Sequence, residues 1–213
     1  NASAIVTFEV TRRAVAGPES TDDLQIGKKL PRHVRRYLGP SPYIESRNAK
    51  IIKLAKSLVN KELTGWQQAE ANYDYVREHV EYKNGKLKGA LAALEDGNGD
   101  CEELTSLFIA ICRVQGIPAR TVWVPDHCYP EFYLVNAENE GQWYPCQAAG
   151  AREFGSMTDL RPILQKGDNF RVPEKQDPQR YVSEHLTGSR KRGVTSGRPK
   201  VSFVREVTTE PTE

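Results

Sequence analysis

Gly99-Asp100-Cys101-Glu102-Glu103 restricts what this chain can fold into more than any other stretch. It predicts a helix start, with acidic residues at the first turn and an apolar stripe of Leu104, Leu107, Phe108 and Ile111 at steps of three and four. Gly116 is placed to end that helix in a left-handed conformation, ahead of Ile117-Pro118-Ala119-Arg120. The cysteine therefore falls in the first turn. Unsatisfied N–H groups and the helix dipole favour the thiolate there, and the thiolate is the nucleophilic form. The neighbouring carboxylates oppose it, so a cationic partner has to tip the balance.

A single cysteine beside an apolar face is ordinarily a small buried hydrophobe. Cys112 fits that description: it lies on the same helix face, about 16 Å further along the axis, out of bridging range of Cys101. Cys101 differs because of the segment after the helix. Residues 121–124 read as a buried strand and residues 126–135 and 142–148 as two more, the last two joined by turn residues 136–141. In an antiparallel hairpin whose opposed residue numbers sum to 274, His127 faces Gln147 and Cys128 faces Cys146, as two adjacent reduced thiols. Docked at the helix N-terminus, such a hairpin gives a Cys–His–amide arrangement. The imidazole of His127 then shares the proton of Cys101, and the carbonyl oxygen of Gln147 orients the ring.

Four motifs in this order resemble the transglutaminase-like branch of the papain-like cysteine enzymes, in its bacterial type. They are Gly99-Asp100-Cys101, Arg113 with Gly116-Ile117-Pro118-Ala119-Arg120, His127-Cys128-Tyr129-Pro130-Glu131-Phe132-Tyr133, and Trp143-Tyr144-Pro145, and the resemblance is strong between residues 70 and 150. It implies an α+β papain-like fold, with a helical layer carrying Cys101 packed on an antiparallel sheet carrying His127 and Gln147. It makes Cys101 the nucleophile and His127 the base, and it places Gln147 where the family has an aspartate. An amide is compatible with the role, since papain-like proteases use asparagine there. The implied chemistry is acyl transfer through a thioester on a peptide or carboxamide, with a protein or peptide substrate and no cofactor. Hydrolysis is favoured over transamidation because water is always abundant. The Cys101 N–H is one expected oxyanion donor, and Trp66, Gln67 and Tyr82 are candidates for the second. The competing reading is a catalytically degenerate member serving as a binding or structural module.

At 213 residues and 38% hydrophobic content, the chain can bury one sizeable core. A formal charge of +2 gives no argument for a nucleic-acid partner, and Arg190-Lys191-Arg192 sits in a Gly/Ser-rich stretch that reads as a solvated loop. No run approaches the roughly 20 apolar residues of a membrane span, so no membrane partner is expected. The four cysteines and four histidines show neither Cys-x-x-Cys nor His-x-x-x-His spacing, so no metal site is expected. His33, His79 and His185 read as surface or structural residues. No signal peptide is visible and the chain opens on Asn1, so the compartment stays open, with export to the periplasm or beyond after removal of a signal as one alternative.

The expected organisation is an N-terminal strand (5–10) and irregular arm over residues 1–45, a core domain over 46–186, and a basic loop, last strand (201–204) and tail over 187–213, the two strands pairing with each other. Within the core, Ser46 is expected to cap a helix through Ile51, Leu54, Ala55, Leu58 and Val59. Thr64 with Gln67 forms a capping box ahead of Trp66, Ala69, Tyr73, Val76 and Val80. Residues 88–94 read as a shorter helix, and the flexible glycine turn over 96–99 as a rim of the cleft. Arg120 and Glu131 sit at the edges of buried strands, where a lone charge costs several kcal/mol, so both are expected to be paired.

Overall fold

A computed structural model describes residues 3–187 and 200–206. Residues Asn1–Tyr181 form one compact unit and Val182–Glu213 a second. The basic 189–193 segment lies outside the described residues.

The first unit is built around helix α5 (Cys101–Val114), in which every residue from Glu103 to Arg113 is buried. The stripe at steps of three and four describes only one side of this helix. The other sides are apolar too, as a helix enclosed all round requires. Helices α2 (Ala49–Ser57), α3 (Gly65–His79) and α4 (Ala90–Asp96) pack on it from one side, and strands β3 (Ala119–Val124) and β4 (His127–Val135) from the other. The arm ahead of them contributes a short helix, α1 (Arg32–Arg35), a 3₁₀ turn over Arg36–Leu38, and buried Leu24 and Val34.

Local chemistry sets the helix starts. The Thr64/Gln67 capping box is present, with Thr64 Oγ1 accepting from Gln67 N at 3.2 Å and Gln67 Oε1 from Thr64 N at 3.0 Å. Helix α2 is capped by Asn48, whose side chain accepts from Lys50 N at 2.9 Å, and not by Ser46, which is buried. Helix α4 begins at Ala90 and not Lys88, because Gly89 has a non-helical backbone at φ 91°, with the N–H groups of Lys88 and Gly89 bound to the Glu103 carboxylate.

The sheet is four-stranded and antiparallel in the order β5 (Gly141–Pro145), β4, β3, β6 (Gln165–Lys166). Arg120 lies opposite Glu131 across β3 and β4 and bonds it from Nε at 3.0 Å and Nη2 at 2.9 Å, and Lys166 reaches the other carboxylate oxygen at 2.5 Å. Between β4 and β5 the opposed numbers sum to 276, as in Glu131 opposite Pro145, and not 274. The turn decides this. Asn136 N bonds Glu140 O at 2.9 Å with Asn139 left-handed at φ 62°, which places Val135 opposite Gly141. Cys146 therefore sits level with Pro130, bonding its carbonyl through N at 3.0 Å, and the expected Cys128–Cys146 pair is not formed. The strand also ends at Pro145, three residues earlier than expected.

Residues 5–10 and 201–204 are not strands, and Ile5, Phe8 and Val204 are 90%, 82% and 81% exposed. Their alternation is real, but neither of their faces is buried, so the pattern has no partner layer to act on. In the second unit, the described residues carry no helix or strand, and Arg205 pairs with Glu184.

A buried ion pair closes the far end of the first unit. Arg113 Nη2 bonds both oxygens of Asp168 at 2.9 and 2.8 Å, its Nε and Nη2 bond Ala119 O, and its Nη1 bonds Gly39 O and Ser41 Oγ. Asp168 also accepts from Thr121 N at 3.2 Å. Arg113→Met is expected to lower stability by about 3–5 kcal/mol in urea unfolding, because it strands a buried carboxylate, and Arg113→Met with Asp168→Leu is expected to recover most of that loss.

Candidate active site

The backbone around Cys101 is fixed by two carboxylates. Asp100 caps α5 by accepting from Glu102 N at 2.8 Å, and Glu103 reaches back to Asp100 N at 3.2 Å. The other oxygen of Glu103 accepts from Lys88 N at 2.8 Å and Gly89 N at 3.2 Å. Gly99 is required by the same packing, since a Cβ there would fall 2.3 Å from Glu103 Cβ. The glycine turn is also held by a short parallel pairing of β1 (Glu81–Tyr82) with β2 (Asn98–Gly99), including Lys83 N to Gly99 O at 2.8 Å. The half-buried Cys101 thus starts its helix from a clamped strand, not from a flexible loop.

His127 is the first residue of β4, reached through a tight turn in which Asp126 is left-handed at φ 55°. Its Nε2 lies 3.0 Å from Gln147 Oε1. Gln147 is buried and anchored through its backbone: its carbonyl accepts from Tyr73 Oη at 2.8 Å and Arg77 Nη1 at 3.0 Å, and its N–H bonds Glu153 O at 2.8 Å. The register change of two residues makes His127 and Gln147 diagonal and not opposed. Gln147 lies two residues past the end of β5, and a glutamine is long enough to reach His127 from there. With Nε2 engaged by Gln147, Nδ1 is the nitrogen left for the thiol of Cys101.

Cys128 also belongs to this group, which sequence reasoning missed by assigning its thiol to Cys146. It is buried on the α5 side of the sheet, and its Sγ donates to Cys101 O at 3.7 Å. A hydrogen bond from the Cys128 side chain to the Cys101 sulfur is the largest influence on the Cys101 thiol; burial opposes it, and the hydrogen bond and charge of His127 and a bond from the Cys128 backbone add to it, bringing the thiol down to about 4. Cys128 itself is held well above the ordinary thiol value by that contact and by burial. Burial opposes a charge on His127, but hydrogen bonds to Cys101 and Gln147 and the thiolate's charge outweigh it, so its pKa rises. Thiolate and imidazolium therefore stabilise each other. Burial lifts Asp100 and Glu102 to about 6, so both become protonated as pH falls below that value and oppose the thiolate less there.

Two further groups were not visible in the sequence because they come from distant segments. Arg180 is ion-paired with Glu102. Arg161 bonds Asp159 and the carbonyl of Pro125 at 2.9 Å, close enough for its charge to work against the imidazolium of His127. Among the expected second oxyanion donors, Gln67 is engaged in its capping box and Trp66 in an edge-to-face cluster with Phe132, Tyr144 and Phe154, whereas Tyr82 is near enough for the Cys101 charge to act on it. His79 bonds Tyr75 O at 2.8 Å and stacks on Tyr75, while His33 and His185 are exposed. Among the described residues, no group of three or more His, Cys, Asp or Glu is arranged to hold a metal ion, and no helix is long and apolar enough to cross a membrane.

The model of the transglutaminase-like superfamily matches residues 52–148, a span that contains Cys101, His127 and Gln147. The chain carries a transglutaminase-like domain. The crystal structure of a candidate cysteine protease from Cytophaga hutchinsonii is similar to it with a TM-score of 0.52 and 23% identity, over 67% of this chain and 51% of that one. This chain thus spans about half the length of that protein. The likeness is one of fold, and the transglutaminase-like domain has the α+β papain-like architecture of cysteine-based enzymes. No curated protein matches the sequence.

Because the Cys101 thiol is lowered to about 4, its alkylation by iodoacetamide is expected to switch on as pH rises through about 4 and to be near its plateau by pH 6, where an ordinary thiol near 9 is almost unreactive. Cys128→Ala removes the donated hydrogen bond and is expected to move the midpoint upward. Pseudo-first-order alkylation rates between pH 3.5 and 9, with the labelled residue identified by mass spectrometry, check both outcomes.

Proposed function

We propose that this transglutaminase-like domain catalyses cysteine-dependent acyl transfer on a peptide or carboxamide, with hydrolysis as its main outcome. The observation that carries the reading is the His127 ring bonded to Gln147 at 3.0 Å beside a thiol that starts a helix and is stabilised as a thiolate. The thiolate of Cys101 attacks the carbonyl carbon, and the resulting oxyanion lies near the α5 N-terminus. As first residue of the helix, Cys101 has an N–H without an intrahelical acceptor, which suits it to that oxyanion. Collapse to the thioester expels an amine that takes the proton of the His127 imidazolium. His127, now neutral, removes a proton from water as it attacks the thioester, and the acid leaves. An amine in place of that water gives transamidation.

Gln147 acts through its carbonyl oxygen. It accepts the Nε2 proton and fixes the ring so that Nδ1 serves the sulfur, a role that needs an acceptor but not a full charge. Where other members of the family place a carboxylate, the imidazolium here relies on the thiolate itself for its opposite charge.

The test is to incubate the protein with a mixed peptide pool, with and without methylamine, and to read new termini, deamidated glutamines and methylamine adducts by mass spectrometry. Cys101→Ala is expected to abolish all products, and His127→Ala to lower the rate by about 10²–10⁴-fold. Gln147→Asp is expected to preserve or raise the rate and Gln147→Ala to lower it. Equal rates for the three Gln147 forms would remove its orienting role, and turnover by Cys101→Ala would overturn the reading.

A further inference from the structure

Beside the nucleophile, Glu102, Trp123 and Tyr43 enclose a box that holds a cation. The occupant is Arg180: its guanidinium pairs with Glu102 and lies 5.0 Å from the Trp123 ring centre and 5.9 Å from that of Tyr43. With Arg180 in place, only ≈ 10 Å³ remains free between these residues and Leu87. A planar cation between aromatic faces with a carboxylate at its end is the arrangement that guanidinium chemistry favours.

Three features set this pair apart from a surface salt bridge. Glu102 comes directly after Cys101 on the first turn of α5, close enough for the charge of Cys101 to act on it, and Cys128, which bonds Cys101, lines the box as well. Tyr43 is held in the left-handed region at φ 66°, an unfavourable conformation for a tyrosine that tertiary contacts have to maintain. Its carbonyl is tied to Ala90 N at 2.9 Å. Arg180 sits between Gln179, which is bridged to Phe170, and Tyr181, whose ring meets that of Trp123 edge-on at 5.3 Å, and the Arg180 and Glu102 side chains are each 27% exposed. The pair is thus partly open to solvent, where a competing guanidinium can reach it.

We infer that the box of Glu102, Trp123 and Tyr43 recognises the guanidinium of an arginine in the peptide substrate, and that Arg180 fills it as an internal stand-in until substrate displaces it. This rests on the acyl-transfer reading for its consequence, since an arginine held there presents a nearby carbonyl to Cys101. The binding itself is independent of turnover.

The experiment is calorimetric binding of acetyl-arginine methylamide, its lysine counterpart and the neutral citrulline isostere to the wild-type chain, to Arg180→Ala and to Arg180→Ala with Glu102→Gln. Arg180→Gln is carried alongside, with thermal unfolding to show that the segment is intact. Arg180→Ala is expected to bind the arginine compound at least about tenfold tighter than the wild type and the double variant do, and tighter than it binds the lysine compound, with the citrulline compound weak throughout. In the same samples, the arginine compound is expected to slow alkylation of Cys101 by iodoacetamide in Arg180→Ala. Equal affinity of wild type and both single variants, or of the arginine and citrulline compounds, overturns the inference. A preference for lysine overturns the guanidinium assignment in favour of an amine site, and unchanged alkylation at saturating arginine compound overturns the placement beside Cys101. Slow alkylation near pH 6 in every form counts against the acyl-transfer reading alone, and the affinity ratios still decide the box.

Discussion

The site depends on one buried carboxylate, Glu103. Burial by itself would push its pKa up, but backbone N–H groups of Lys88, Gly89 and Asp100, with the Asp100 side chain, outweigh that and hold it below the ordinary value. A carboxylate kept ionised in the interior by three backbone donors is a strong positional restraint, because releasing any donor leaves an unpaired polar group out of reach of water. Glu103 thereby sets where α4 begins, where α5 begins and why residue 99 has no side chain. The position of the thiol is a consequence of these three.

Charge around that thiol is balanced by position more than by number. Asp100, Glu102 and Glu103 crowd the first turn of α5, which looks hostile to a thiolate, yet Asp100 caps the helix, Glu102 pairs with Arg180 and Glu103 clamps the backbone. The groups that stabilise the thiolate come from the sheet instead, as the hydrogen bond from Cys128 and the imidazolium of His127. The same adjacent pair at the start of β4 thus supplies a neutral donor and a charged one. The far end of α5 is fixed with comparable rigidity by Arg113 and Asp168, so the helix that carries the nucleophile is pinned at both termini.

Gln147 shows how a right contact can arise from a wrong register. Its approach to His127 was legible because both residues lie near the same end of the β4–β5 hairpin and a glutamine side chain is long enough to absorb a slip of two residues. The partner of Cys128 was not legible, because pairing along a strand depends on how the turn over residues 136–140 closes, and the hydrogen bond from Asn136 to Glu140 with a left-handed Asn139 is one of several closures those residues permit.

Elements whose signals are local were legible in the residues alone: the capping box at Thr64, the termination of α5 near Gly116, the three consecutive strands, and the thiol at a helix start. The sequence by itself also determined that Arg120 and Glu131 would pair, since burial of either charge alone is too costly. Tertiary structure decided what depends on residues far apart in the chain. It joined Arg180 to Glu102, gave Cys128 to Cys101 and not to Cys146, and left the alternating residues 5–10 and 201–204 without a buried face and so without a strand. The physical reason is the same in each case. Caps, turns and periodicity act within a few residues, whereas an ion pair, a register or a buried face exists only once a second segment has been brought against the first.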